Sequence, residues 1–177
     1  MPFFHSRAIA LACLLLGPLA GCSDNVVDRF GETGQGNVVF ASERACTLRV
    51  EASSGTMVLL VPFEGDGVRL SFQPGNIVVD RGTQTASFGF LVSRMDGSIA
   101  QLAQESIRYL DDGANSIFTA DAPAWVVTDL AELKNISFVW DGTVASMASP
   151  RAGWAEEAEL LADCLGKPLA EVTPVAG

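Results

Sequence analysis

Side chains that move protons or attack carbonyls are scarce in this chain. Its one histidine is His5, and its only lysines are Lys134 and Lys167. A Ser-His-Asp triad, a Cys-His dyad and a histidine-ligated metal all need an imidazole inside the folded body. Neither lysine follows a serine at the Ser-x-x-Lys spacing. Carboxylates remain. Asp111-Asp112 is the one adjacent aspartate pair, and paired acids at the right separation hydrolyse glycosides. With Asn115 these residues also present oxygens suited to Ca²⁺, though without the spacing and closing glutamate of an EF-hand loop. The simpler reading is a turn before Gly113. Glu156, Glu157, Glu159 and Asp163 form a second acidic group, read either as a solvated helix face or as a docking face for a basic partner. The glycines at 31–36 and 65–67 match no phosphate-cradling fingerprint. The residues predict a non-catalytic chain without metal or cofactor. A histidine-free hydrolase working through carboxylates is the alternative.

The four cysteines, Cys13, Cys22, Cys46 and Cys164, divide by position. Arg7 is the only charge before Asp24, and an apolar run from Ala8 to Leu16 follows it. That is the layout of a secretory leader, too short to stay as a membrane span. The run ends in Leu19-Ala20-Gly21-Cys22, which resembles the lipobox of bacterial lipoproteins. The resemblance implies cleavage between Gly21 and Cys22, a covalent lipid on the Cys22 sulfur, and an acylated amino terminus carrying chains such as palmitate. Ser23 after the cysteine resembles the outer-membrane default rather than inner-membrane retention. The expected location is therefore the cell envelope, on the periplasmic face of the outer membrane. Losing residues 1–21 removes Arg7 and His5 but no acid. That leaves 10 basic and 21 acidic residues, net −11, over 156 positions. Such a balance argues against nucleic acid as a partner, because phosphate binding needs clustered Lys and Arg. It leaves the membrane, through the lipid, and an envelope protein as the expected partners.

Elements must now place what remains. Residues 22–37 are polar and glycine-containing and read as a flexible tether. From Val38 to Arg94 short apolar stretches alternate and are broken by turn signals such as Ser53-Ser54-Gly55 and Pro74-Gly75, the pattern of an antiparallel sheet. Ile99, Leu102, Ala103, Ile107 and Leu110 stand at offsets 0, 3, 4, 8 and 11, which fits an amphipathic helix. A strand through Ile107 and Tyr109 is the alternative. Pro123 opens a short helix reaching Leu133. Ile136, Phe138 and Trp140 alternate as a strand, Asp141-Gly142 turns, and Val144 to Met147 returns. Ser149 and Pro150 then read as the cap and first residue of a closing helix. Trp154, Ala158, Leu161 and Leu165 form its apolar face, and Gly166 stops it. Trp125, Trp140 and Trp154 read as core, and if one is exposed it is Trp125, beside Pro123.

Cys46 and Cys164 are the thiols left in an exported body, and a disulfide between them is favoured over two separate buried thiols. The β-rich body closed by Leu160-Leu161-Ala162-Asp163-Cys164 resembles small exported domains of the invasion-associated locus B family. That resemblance implies envelope association. The expected fold is α+β: a mainly antiparallel sheet packed against a C-terminal helix, with one disulfide. The expected organisation is a signal peptide at 1–21, a tether at 22–37, one domain at 38–168 and a loose tail at 169–177. The expected function is a lipid-anchored, non-catalytic binding or assembly module. A periplasmic inhibitor or chaperone using a sheet edge is a further alternative.

Overall fold

The computed structural model describes residues 28–64, 67–75, 84–109 and 117–172. The expected leader, the expected cleavage site at Gly21-Cys22 and the Asp111, Asp112 and Asn115 group lie outside them.

Ten strands appear in chain order: β1 (Asp28–Glu32), β2 (Val38–Ala41), β3 (Ala45–Ala52), β4 (Gly55–Pro62), β5 (Val68–Pro74), β6 (Gln84–Arg94), β7 (Ile99–Tyr109), β8 (Phe118–Ala122), β9 (Leu133–Trp140) and β10 (Thr143–Ala148). A short helix α1 (Trp125–Thr128) and a 3₁₀ turn at Leu130–Glu132 precede β9, and helix α2 (Ala155–Leu165) follows β10. The strands form two antiparallel sheets, ordered β1-β2-β3-β4-β5-β8 and β10-β9-β6-β7.

The alternation read from the sequence decides which faces meet. Cys46, Leu48 and Val50 of β3, Met57, Leu59 and Val61 of β4, and Val68, Leu70 and Phe72 of β5 are all buried. They pack against Phe88, Phe90 and Val92 of β6 and Ile136 and Phe138 of β9. Phe72 stacks on Phe138 across the two layers, with ring centroids 4.3 Å apart, and Phe118 lies 5.2 Å from the same ring. The smaller sheet sits over β3 to β8: β10 touches β3, and β7 touches β8. The inner face of β1, β2 and β3 is covered by α2 instead. Trp154, Leu161 and Leu165 supply its buried stripe, as their spacing requires. Cys46 and Cys164 form the expected disulfide, with Cα atoms 6.2 Å apart. Gly166, in the left-handed conformation at φ 64°, ends the helix.

Four expectations need correction. Residues 99–109 form a strand, not a helix. The turn at Asp96-Gly97 folds β7 back on β6, and Gly97 supplies φ 88°. The ladder slips by one residue because Leu102 is extra, with Leu91 opposite Gln101 and Phe90 opposite Ala103. A bulge of this kind breaks the two-residue period and lets an apolar spacing of three imitate a helix. Second, residues 28–37 are part of the domain rather than tether: β1 pairs with β2, and Thr33 and Asn37 are buried. Third, α2 starts at Ala155, and Ser149 does not cap it. The Ser149 hydroxyl donates to the Lys134 carbonyl instead. Fourth, the stretch expected as a loose tail begins with a 3₁₀ turn at Leu169–Glu171, and Val172 is buried.

Candidate binding surfaces

The acidic residues of α2 separate into three roles. Glu157 is fully buried, so it is not part of a partner-facing surface. The reason lies in the helix period: Trp154, Glu157 and Leu161 stand at offsets 0, 3 and 7, which places the carboxylate inside the apolar stripe. A buried carboxylate is costly unless donors surround it. The β1–β2 loop provides them for one oxygen, while Oε2 is buried with no partner among the described residues. Oε1 of Glu157 accepts from the Asn37 amide at 2.6 Å, the Thr33 hydroxyl at 3.1 Å and the Gln35 amide at 3.5 Å. Gln35 also donates to the Gly153 carbonyl and accepts from the Ala152 N–H. Neighbouring Glu156 accepts the Gly34 N–H at 2.9 Å. Glu159 and Asp163 point to solvent and, with Glu32 and Glu156, line an open groove of about 300 Å³ between the loop and α2. Glu32 is paired with Arg29.

A different surface lies on the outer face of the smaller sheet. Ser87, Gly89, Leu91 and Ser93 of β6 alternate with the buried Phe88, Phe90 and Val92 and so face outward. The register places Asn135, Ser137 and Val139 of β9, Val144 and Met147 of β10, and Ile99 and Gln101 of β7 on the same side. None of these described residues is charged. Ile99, Val144 and Met147 are exposed to 70%, 52% and 41%. At the centre, Gly89 adds no side chain, and Ser87, Leu91, Gln101, Val139 and Gly142 surround a depression of about 180 Å³. A glycine inside a strand weakens it and is found where another group comes close to the backbone. The bulge at Leu102 lies on the neighbouring strand, in the register step beside Leu91. At the end of this sheet, the Asp141 carboxylate accepts the Ser87 N–H at 2.8 Å. At the other end, hydrogen bonds from the Ser98 side chain and backbone hold the Asp96 carboxyl below the usual carboxylate range.

The outer face of the larger sheet has the opposite chemistry. Thr47, Arg49, Glu51, Arg69, Ser71, Thr119 and Asp121 project there. Arg69 pairs with Asp121 at 3.3 Å, and the Ser71 and Thr119 hydroxyls share a hydrogen bond of 2.9 Å. Val58 and Leu60, the apolar residues between, stand opposite Arg49 and Arg69 and are only half exposed. Trp125, read as core and as the tryptophan to suspect if any were exposed, is half-buried beneath the Arg94 guanidinium, 4.6 Å from its ring, and Arg94 in turn reaches Asp129 at 2.7 Å.

No family model, curated protein or solved structure matches this chain. The sites therefore rest on their own geometry. The buried position of Glu157 was readable from the period of α2, but its partners Thr33, Gln35 and Asn37 were hidden in a segment with the composition of a linker. The open face around Gly89 was visible as the alternate positions of β6. That it stays uncovered depends on how far the two sheets and α2 reach over one another.

Proposed function

We propose that this protein is a lipid-anchored component of the bacterial cell envelope that binds a partner protein without catalysing a reaction. The leader ending in Leu19-Ala20-Gly21-Cys22 supports the anchor, and the Cys46–Cys164 disulfide fits an oxidising compartment. The observation that carries the binding role is the uncharged patch around Gly89 on the outer face of the smaller sheet, formed by Ser87, Leu91, Gln101, Ser137, Val139, Val144 and Met147, on a chain of net charge −10. Exposed apolar area concentrated on one face marks a contact surface. Engineered cavities of about 150 Å³ accept benzene, so the depression over Gly89 has room for one ring-sized anchor side chain. Interfaces are commonly built this way, from a buried apolar anchor and a polar rim. Lipid attachment raises the effective concentration at the membrane, so modest contacts suffice.

Two variants test the reading. Cys22→Ser is expected to move the protein from the membrane to the soluble fraction, and continued membrane retention argues against the anchor. In chemically cross-linked envelopes the wild-type chain is expected in a heavier adduct that Val144→Lys abolishes while leaving the melting temperature in place. An adduct indifferent to Val144→Lys moves the contact elsewhere. The absence of any adduct counts against the binding role.

A further inference from the structure

The inclusion of residues 28–37 in the domain shortens the link to the membrane. Only six residue steps separate Cys22 from Asp28. Fully extended they span at most about 22 Å, and a flexible chain of that length averages about 13 Å end to end. A domain of about 145 residues has a radius of gyration near 15 Å, hence a diameter on the order of 40 Å. The link is shorter than the body it holds, so the point of attachment decides which side meets the bilayer.

That point is β1, an edge of the six-stranded sheet. Its ladder to β2 skips Phe30, since Arg29 faces Phe40 and Gly31 faces Val39. The bulge turns the Phe30 side chain out of the ladder and leaves it 45% exposed. The strand lies against the body. A Cβ on Gly31 would stand 2.7 Å from Leu160 of α2, so the backbone of β1 lies directly on the helix. An exposed phenylalanine on a strand paired with β2 and packed on α2, two residues after a link this short, is placed where aromatic side chains partition into the headgroup boundary.

We infer that the β1 edge is a membrane-contacting surface, with Phe30 reaching the lipid headgroup region and fixing the orientation of the domain on the bilayer. This rests on lipid attachment at Cys22. The opposite corner of the same sheet is the natural comparison. Ile117, exposed and next to β8, is five strands from β1, about 24 Å across the sheet.

The test uses the lipidated full chain in phosphatidylethanolamine–phosphatidylglycerol vesicles. Phe30→p-benzoylphenylalanine and Ile117→p-benzoylphenylalanine are irradiated in parallel, after flotation shows that each protein rides with the vesicles. Phospholipid adducts are expected at position 30 and not at 117. A ten-residue Gly-Ser insertion after Asp24 lengthens the link from six steps to sixteen and is expected to lower the adduct yield about fourfold, following the −3/2 power of length. Floating protein with no adduct at position 30, or with equal adducts at both positions, overturns the inference and leaves the anchor intact. Equal yield from the lengthened link overturns it as well. Protein that fails to float removes the anchor reading and, with it, this one.

Discussion

The two ends of α2 are fastened to the same end of the larger sheet by different chemistry. At the C-terminal end a covalent bond joins Cys164 to Cys46 on β3. At the N-terminal end a polar clamp joins Glu156, Glu157 and the Ala152–Gly153 backbone to three consecutive residues of the β1–β2 loop, Thr33 to Gln35, and to Asn37 beyond them. A disulfide acts mainly by restricting the unfolded chain, and its effect grows with the loop it closes. A buried clamp acts in the folded state, and its effect is largest when only one partner is removed. The helix has the role that two further strands would have had, covering β1, β2 and β3 where the smaller sheet stops. Both fastenings serve that cover.

The sharpest way to break the comparison is to cut the covalent end. Cys46→Ala combined with Cys164→Ala opens a link across 118 residues and is expected to cost about 4–5 kcal/mol. For a domain of this size that lowers the melting temperature by on the order of 10–15 °C, read by calorimetry. A loss below about 1 kcal/mol would mean that the polar clamp and packing alone hold α2. Next comes Glu157→Ala, which leaves the Asn37 and Thr33 donors buried without an acceptor and is expected to cost about 3 kcal/mol in urea unfolding. Smallest is Glu156→Ala. Its bond to the Gly34 N–H is exposed, so the expected loss is about 0.5–1 kcal/mol. If the Glu156 and Glu157 variants lost equal stability, the division between buried clamp and solvated rim would be wrong.

The contrast between the sheets' outer faces has a functional counterpart. Charge pairs and hydroxyls cover the larger sheet, which suits a surface that stays in water. The smaller sheet presents Ile99, Leu91, Val139, Val144 and Met147 there, with the Asp141 carboxylate held at the rim by Ser87. In an acidic chain that separation is informative, because charged residues are depleted at the centres of protein interfaces.

Much of this was legible in the residues. Cys46, Leu48 and Val50 alternate with Thr47, Arg49 and Glu51, so β3 and its buried side follow from a two-residue period alone. Asp141-Gly142 marked a hairpin, and both residues take positive φ, 46° and 76°, as a two-residue turn of that hand requires. The apolar stripe of α2 and its glycine stop were equally plain. β1 was not legible, because Asp-Arg-Phe-Gly-Glu has no periodicity and becomes a strand only by pairing with β2 and resting on Leu160. β7 was misread because one extra residue, Leu102, is a feature of pairing rather than of composition.

Local period and turn chemistry thus determined which stretches are extended, which sides they bury and where the closing helix stops. They are set by residues a few positions apart, whose geometry is the same in any fold. Only the tertiary structure decided that the sheets number two, that α2 completes the cover of the wider one, that the β1–β2 loop supplies the partners of Glu157 and that the described residues leave the face around Gly89 open. Those outcomes depend on groups more than a hundred residues apart meeting in space. Short-range preferences carry no information about such meetings until the chain has packed.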